Sequence, residues 1–182
     1  MYRDAVARDS KAYDQAYFER WYRDPRYALF HHGMLPRRVQ LAVAASEYLL
    51  ERPIRSVLDV GCGEGRWRPL LKHVRPRIRY VGVDSSPYVV ARYGKRRHLR
   101  LGRLGQLGQL GLEGCFDLIV CSDVLHYVER DELRRGLQAI ARLLEGWRSS
   151  SSSPPRTRRK GTIWISSAGA APCTAGCSRK PG

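Results

Sequence analysis

The middle of the chain alternates between short apolar runs and stretches in which apolar residues recur every three or four positions. The runs predict buried strands and the periodic stretches predict amphipathic helices. Strands that alternate with helices predict an α/β fold: a Rossmann-like, mostly parallel sheet with helices on both faces. The predicted strands are Ser56–Val60, Arg79–Val83, 98–104 and Phe116–Cys121, and the predicted helices are 36–51, 66–74, 87–93 and 131–144.

An aromatic stretch, KAYDQAYFERWY, occupies residues 11–22 ahead of this pattern. Tyr13, Tyr17 and Trp21 are four positions apart, so they form one stripe of a helix. Two interpretations remain open: a helix packed on the core, or an aromatic lid over a ligand. Asp24-Pro25 is expected to end it, because the residue before proline avoids the helical region.

The composition changes after Gly146, where five serines (149–153) lead into a segment rich in arginine and proline. Such a segment has little apolar surface to bury, so we expect disorder there, with one strand predicted over 161–167. The chain therefore divides into an N-terminal helical lid or cap (1–52), a Rossmann-like core (53–146) and a basic tail (147–182).

The net charge of +16 raises the question of a nucleic-acid partner. Seven of the basic residues lie after Trp147, where there is no acid, so much of the excess belongs to the tail, and residues 1–146 carry 26 bases against 17 acids. The basic stretch YGKRRHLR (93–100) has two interpretations, a solvated face or a nucleic-acid contact. No apolar run is long enough to span a membrane and the N-terminus is not a secretory signal, so we expect a soluble, cytoplasmic protein.

The five cysteines have neither the spacing of a disulfide framework nor that of a four-ligand zinc site, so we expect reduced thiols and no metal. The chemistry lies instead in SVLDVGCGEGRWR (56–68), a strand followed by glycines at every second position. Arg66 stands where the dinucleotide fingerprint requires its last glycine, and Asp59 and Glu64 would repel a pyrophosphate. Acids around a glycine bend suit a positively charged nucleoside such as S-adenosylmethionine, and Asp84, at the end of the next strand, suits its ribose hydroxyls.

Three segments resemble motifs of the class I S-adenosylmethionine-dependent methyltransferases: VLDVGCGEG (57–65), YVGVDSS (80–86) and FDLIVCSDVLHYV (116–128). The resemblance implies that the glycine loop holds the methionine part, that Asp84 holds the ribose, that Leu104 or Gln106 borders the adenine and that Ser122 closes the site. Arg103 stands where many members have an acid, and 161–167 is the one further strand that the sequence predicts after 146, so we expect a truncated or frame-shifted gene. The expected cofactor-binding residues are Asp59, Gly61, Cys62, Gly63, Gly65, Asp84, Ser85, Leu104, Gln106 and Ser122.

The expected function is transfer of a methyl group from S-adenosylmethionine to a small molecule. The alternatives are an RNA methyltransferase, favoured by the charge, and a truncated remnant without activity. A catalytic residue is not required, because the donor is already activated and the protein mainly has to align the reactants. His126 is either a general base or a packing residue, and Asp123 either caps a turn or faces the pocket.

Overall fold

The computed structural model describes residues 13–24, 34–125, 128–145 and 161–166. The described helices and strands follow the predicted alternation. The helices are α1 (Gln15–Tyr22), α2 (Leu35–Leu50), α3 (Trp67–Val74), α4 (Pro87–Arg97) and α5 (Arg130–Glu145). The strands are β1 (Ser56–Val60), β2 (Arg79–Asp84), β3 (Leu99–Leu101), β4 (Leu118–Ser122) and β5 (Thr162–Ser166).

The five strands form one sheet in the order β3-β2-β1-β4-β5, and every pair is parallel. This confirms the predicted Rossmann-like sheet. The strand order reverses at β1, whose neighbours are β2 and β4. In open α/β sheets a ligand binds at such a reversal, outside the carboxyl ends of the strands. The glycine loop follows β1 at this point.

Successive side chains of each strand enter two different hydrophobic cores, because strand side chains alternate between the faces of a sheet. Val57 and Leu118 lie in the first core, which α1, α2, α3 and α4 help to build. Leu58 and Ile119 lie in the second core, beneath α5. Both faces of the sheet are therefore covered, as predicted.

The prediction from the sequence was too short for α4 and was wrong for the segment after β3. Ser86 caps α4, since its hydroxyl accepts from the Val89 N–H, and Pro87 occupies the first turn. The helix continues past the predicted end to Arg97 and stops at His98, which has a left-handed backbone (φ +57°). The strand predicted over 98–104 is limited to Leu99–Leu101, and a 3-10 helix follows over Leu104–Gln109.

One carboxylate, that of Asp117 directly before β4, connects the N-terminal ends of β1 and β4. It accepts from the backbone N–H groups of Arg55 and Ser56 at 2.7 and 3.1 Å and pairs with Arg52. Burial alone would raise the pKa of Asp117, but these hydrogen bonds and the Arg52 charge bring it below its usual range. Asp117 therefore ties the start of β1 to the start of β4, at the edge opposite the glycine loop.

Within the described residues, none of the helices combines the length and the apolar character needed to cross a membrane.

Candidate cofactor-binding site

The loop after β1 is built from glycines whose backbone few other residues adopt. Gly61, Gly63 and Gly65 have φ values of +68°, +51° and +70°, in the left-handed region that side chains disfavour. The loop is fastened to the neighbouring strand, because the N–H groups of Gly61 and Cys62 donate to the Val83 carbonyl at 2.7 and 3.1 Å. The loop therefore has a fixed shape at the carboxyl ends of β1 and β2.

Asp84 ends β2 and lies directly against this loop. One of its oxygens accepts from the Gly63 N–H at 2.7 Å, and the other accepts from the Ser86 N–H at 2.9 Å. Burial raises the pKa of Asp84, while these two backbone hydrogen bonds oppose the rise. A carboxylate oxygen has two lone pairs, so each oxygen can accept one further hydrogen bond from a ligand.

Asp59 lies on β1 in register with Gly82 of β2, and its side chain is 2% exposed. The hydroxyl of Tyr80 donates to it at 2.7 Å. Burial raises the pKa of Asp59 to about 7; the Tyr80 hydrogen bond opposes the rise and the charge of Asp84 adds to it. The two acids therefore sit close enough to influence each other's ionisation, as expected for neighbouring strand ends. When both carboxyl groups are ionised, the pair favours a bound positive charge.

Two side chains cover the glycine bend, so its backbone is not an open surface. A Cβ at Gly63 would collide with the hydroxyl of Tyr22, and a Cβ at Gly61 would collide with the side chain of Val124. Both side chains use the space that the glycines leave. A ligand lying on this backbone has to displace them.

Helix α1 holds Tyr22 in place over the loop. Arg23, next in the chain, donates to Glu64 of the loop at 2.7 Å and to the Tyr93 hydroxyl at 2.9 Å. Arg66 donates to the Tyr22 carbonyl at 2.9 Å and stacks on its ring at 4.3 Å. Burial raises the pKa of Tyr22, and the charge of Asp84 raises it further, so the phenol stays protonated. The two arginines therefore fasten the end of α1 to the second half of the glycine loop and to the residue directly after it.

The aromatic helix α1 packs on the core, and one of its residues also covers the glycine loop. Phe18 is buried in the first core and Tyr13 and Tyr17 pack against it. The Tyr13 and Tyr17 rings are 5.1 Å apart and those of Tyr17 and Trp21 are 6.4 Å apart, so the predicted stripe exists. The residue that covers the loop is Tyr22, one position beyond that stripe.

The remaining predicted residues occupy different surroundings. Cys62 is buried in the first core, and Leu104 is buried in the second core against Gly136 of α5. Ser85 is exposed just beyond β2, and Gln106 is exposed with its side-chain oxygen accepting from the Arg103 N–H at 3.0 Å. Ser122 ends β4 and donates to Asp123 at 3.1 Å.

Asp123 has a left-handed backbone (φ +59°) and pairs with Arg38 of α2 at 3.4 Å. Its carboxylate therefore connects the end of β4 to the first turns of α2. His126 lies outside the described residues.

Sequence reasoning missed Tyr22, Tyr80, Val124 and the two arginines that fasten α1. Phe18 and Tyr22 are also four positions apart, so a second aromatic stripe was present beside the chosen one. Tyr80 precedes Asp84 by an even number of residues, which places it on the sheet face shared with Asp59. Val124 had no such signal, because its position depends on the turn after β4.

The parallel sheet, its reversal at β1 and the glycine loop between two buried acids define an α/β nucleotide-binding domain. Residues 57–146 match the family described as "Methyltransferase domain". These residues therefore form a methyltransferase domain of the class I, S-adenosylmethionine-dependent type.

A curated relative extends the comparison. Trans-aconitate 2-methyltransferase of Deinococcus radiodurans is 32% identical over 78 residues, which are 43% of this chain and 30% of that protein. The chain thus matches less than a third of that relative's length.

Two solved structures have the same fold. The plantazolicin methyltransferase BamL, in complex with a triazolic desmethylPZN analog and SAH, superposes with a TM-score of 0.53 at 17% identity, over 69% of this chain and 50% of that one. Magnesium protoporphyrin IX methyltransferase from Synechocystis PCC 6803, with bound SAM, gives a TM-score of 0.52 at 22% identity, over 71% of this chain and 67% of that one.

Proposed function

We propose that the protein transfers a methyl group from S-adenosylmethionine to a small-molecule acceptor. The observation that carries the proposal is the pair of buried carboxylates, Asp59 and Asp84, on either side of one glycine loop. The residues fit the cofactor, because the loop glycines have no Cβ and the atoms that cover them belong to the side chains of Tyr22 and Val124, which can change rotamer. When bound, the cofactor supplies a methyl group on a positively charged sulfur, already activated for transfer.

The chain's own residues bind and orient this cofactor. Asp84 keeps acceptor capacity on both oxygens for ribose hydroxyls. Asp59 supplies negative charge in a low-dielectric environment, where it attracts a cation far more strongly than in water. Once Tyr22 has moved aside for the cofactor, the aromatic end of α1 would shield the bound cofactor from water.

A small acceptor is favoured by the cover that α1 places over the loop, since an enclosed site admits small molecules more readily than polymers. The name of the Deinococcus radiodurans relative, trans-aconitate 2-methyltransferase, gives a first acceptor to test. The cofactor-binding residues proposed are those expected from the sequence, with Tyr22 and Val124 as the side chains that give way.

Calorimetric titration of the whole chain with S-adenosylmethionine tests this proposal. We expect one binding event, weakened at least about tenfold by Asp84→Asn, because one charge-assisted acceptor contributes on the order of 1.5–3 kcal/mol. Asp131→Asn removes the same charge from a side chain 78% exposed on α5 and serves as the matched control. Thermal melts verify that each variant is folded.

If the wild-type chain melts cooperatively but binds no S-adenosylmethionine, the proposal is wrong. A chain that neither binds nor melts cooperatively supports the inactive remnant instead. If binding is present, transfer of a labelled methyl group to trans-aconitate, compared with transfer to total RNA, tests the acceptor class.

A further inference from the structure

One surface outside the cofactor site concentrates positive charge. Residues 85–112 contain six arginines and lysines and no acid. In the structure, the second half of α4 borders an open surface depression lined by Ala91, Arg92, Tyr93, Lys95, Arg96 and Arg97. We call this surface the basic groove. Arg92, Lys95 and Arg96 are three and four positions apart, so they share one face of the helix.

The charges of the basic groove are not neutralised by the described part of the chain. One acid beside Tyr93, Glu64, is 6% exposed and already pairs with Arg23. Arg97 donates to the Glu64 backbone carbonyl rather than to its carboxylate. Lys95 and Arg96 are exposed and form no ion pair with a described residue. Lys95, Arg96 and Arg97 lie in the last turn, where they complement the helix dipole, and Arg92 extends the charge one turn further.

Tyr93 holds two of these guanidinium groups in fixed positions. The Arg97 guanidinium lies 4.5 Å from the Tyr93 ring centroid and the Arg92 guanidinium lies 5.7 Å from it. Arg92 also donates to the Tyr93 hydroxyl at 3.2 Å. A guanidinium has five donors, so each group keeps several for an anion. A fixed planar fork loses less entropy when it binds a phosphate than a freely rotating side chain does.

We propose that the basic groove binds the phosphodiester backbone of a nucleic-acid strand. The groove is open and lined by exposed cations, which suits a strand that passes along it. Small polyphosphates are instead typically held by backbone N–H groups at a helix N-terminus, and this groove lies along the C-terminal half of α4. An anionic membrane surface fits less well, because peripheral helices insert large apolar side chains, and the exposed large hydrophobic residues of the described chain include none on α4.

This inference does not rest on the proposed methyl transfer. It concerns binding by α4 and assigns no acceptor, so it is tested without S-adenosylmethionine or turnover.

Fluorescence anisotropy with a labelled 20-nucleotide single-stranded RNA of mixed sequence tests the proposal on the full chain. We expect the logarithm of the binding constant to fall linearly with the logarithm of the salt concentration, because phosphate contacts release counterions. Lys95→Gln/Arg96→Gln should make the slope less steep by about one for each residue replaced and should weaken binding at low salt. Arg134→Gln/Arg142→Gln removes the same charge from α5, on the opposite face of the sheet, and is expected to change both quantities much less.

Equal losses in the two double variants would overturn the proposal, because they would show attraction by net charge alone. Equal competition by inorganic triphosphate, at matched phosphate concentration, would also overturn it. Binding to vesicles containing phosphatidylserine without binding to RNA would assign the groove to membranes instead.

Lysine footprinting of the wild-type chain tests the same site without any variant, so its result does not depend on whether a variant folds. Bound RNA should slow acylation of Lys95 and leave acylation of Lys72, on α3, unchanged. Protection of both lysines, or of neither, would contradict the proposed site.

Discussion

At the scale of single residues, Gly63 is required both by its backbone conformation and by the packing of its neighbours. Its left-handed backbone disfavours a side chain, and the Tyr22 hydroxyl occupies the position of its missing Cβ. Gly63→Ala should therefore lower the free energy of unfolding by more than the roughly 1–2 kcal/mol of left-handed strain alone. Urea unfolding monitored by circular dichroism measures this loss.

Gly111 provides the matched control, because it has a similar backbone (φ +58°) and open space where a Cβ would lie. Gly111→Ala should lower the free energy of unfolding by the backbone strain alone. In a Tyr22→Phe background the cost of Gly63→Ala should fall, since the colliding hydroxyl is gone. Equal costs for the two alanines would show that Tyr22 does not press on the loop.

The buried Asp59 predicts a pH dependence of stability. Its pKa is raised to about 7 in the folded chain, against about 3.9 in an unfolded one. The folded state therefore holds a proton that the unfolded state has released, so this group lowers stability progressively as pH rises from about 4 to about 7. Asp59→Asn, which still accepts from Tyr80, should lose less stability between pH 5 and pH 8 than the wild type in urea unfolding. The same loss in both proteins would contradict the assignment.

At the scale of elements, α1 connects the core to the glycine loop. Phe18 anchors the helix in the first core, and the Arg23–Glu64 pair fastens its C-terminal end. Arg23→Gln should release that end, because this partly exposed pair contributes on the order of 0.2–1 kcal/mol. Hydrogen exchange of the α1 amides should then be up to about fivefold faster, with the α2 amides unchanged.

Arg23→Lys separates charge from geometry in this experiment. It keeps the cation but loses the fork that reaches both Glu64 and Tyr93. We expect exchange in α1 to be intermediate between the wild type and Arg23→Gln. Unchanged exchange in both variants would show that Arg23 does not fasten the helix.

At the scale of the whole molecule, β5 ends the described part of the sheet and pairs there with β4 alone. Its sequence, TIWIS, has no charge, and Ile165 is 54% exposed. An uncharged apolar edge favours pairing between chains.

Ile165→Lys should reduce concentration-dependent light scattering with little change in the melting temperature. Ile163→Lys places a charge against the second core and should lower the melting temperature strongly. Scattering that Ile165→Lys leaves unchanged would exclude this edge as the site of association.

The alternation of strands and helices could be predicted because each buried strand is a continuous apolar run and each helix has its own period. The pairing of Asp59 and Asp84 with one loop followed from the rule that parallel strands end at the same edge. The cover over the loop could not be predicted, since it depends on how α1 and the turn after β4 dock from a distance. The length of α4 was underestimated because Gly94 and a run of basic residues interrupt its apolar period.

Asp117, at the opposite edge of the sheet from Asp59, makes the stability of the folded chain decrease in acid. Its pKa is lowered in the folded chain, so the stability it contributes is present above about pH 4 and is lost as the medium becomes more acidic. Asp59 acts in the reverse sense at higher pH. The two aspartates therefore act in opposite directions at the two ends of β1: acid below about pH 4 weakens the connection between the starts of β1 and β4, and a rise toward about pH 7 destabilises the buried carboxyl group beside the glycine loop.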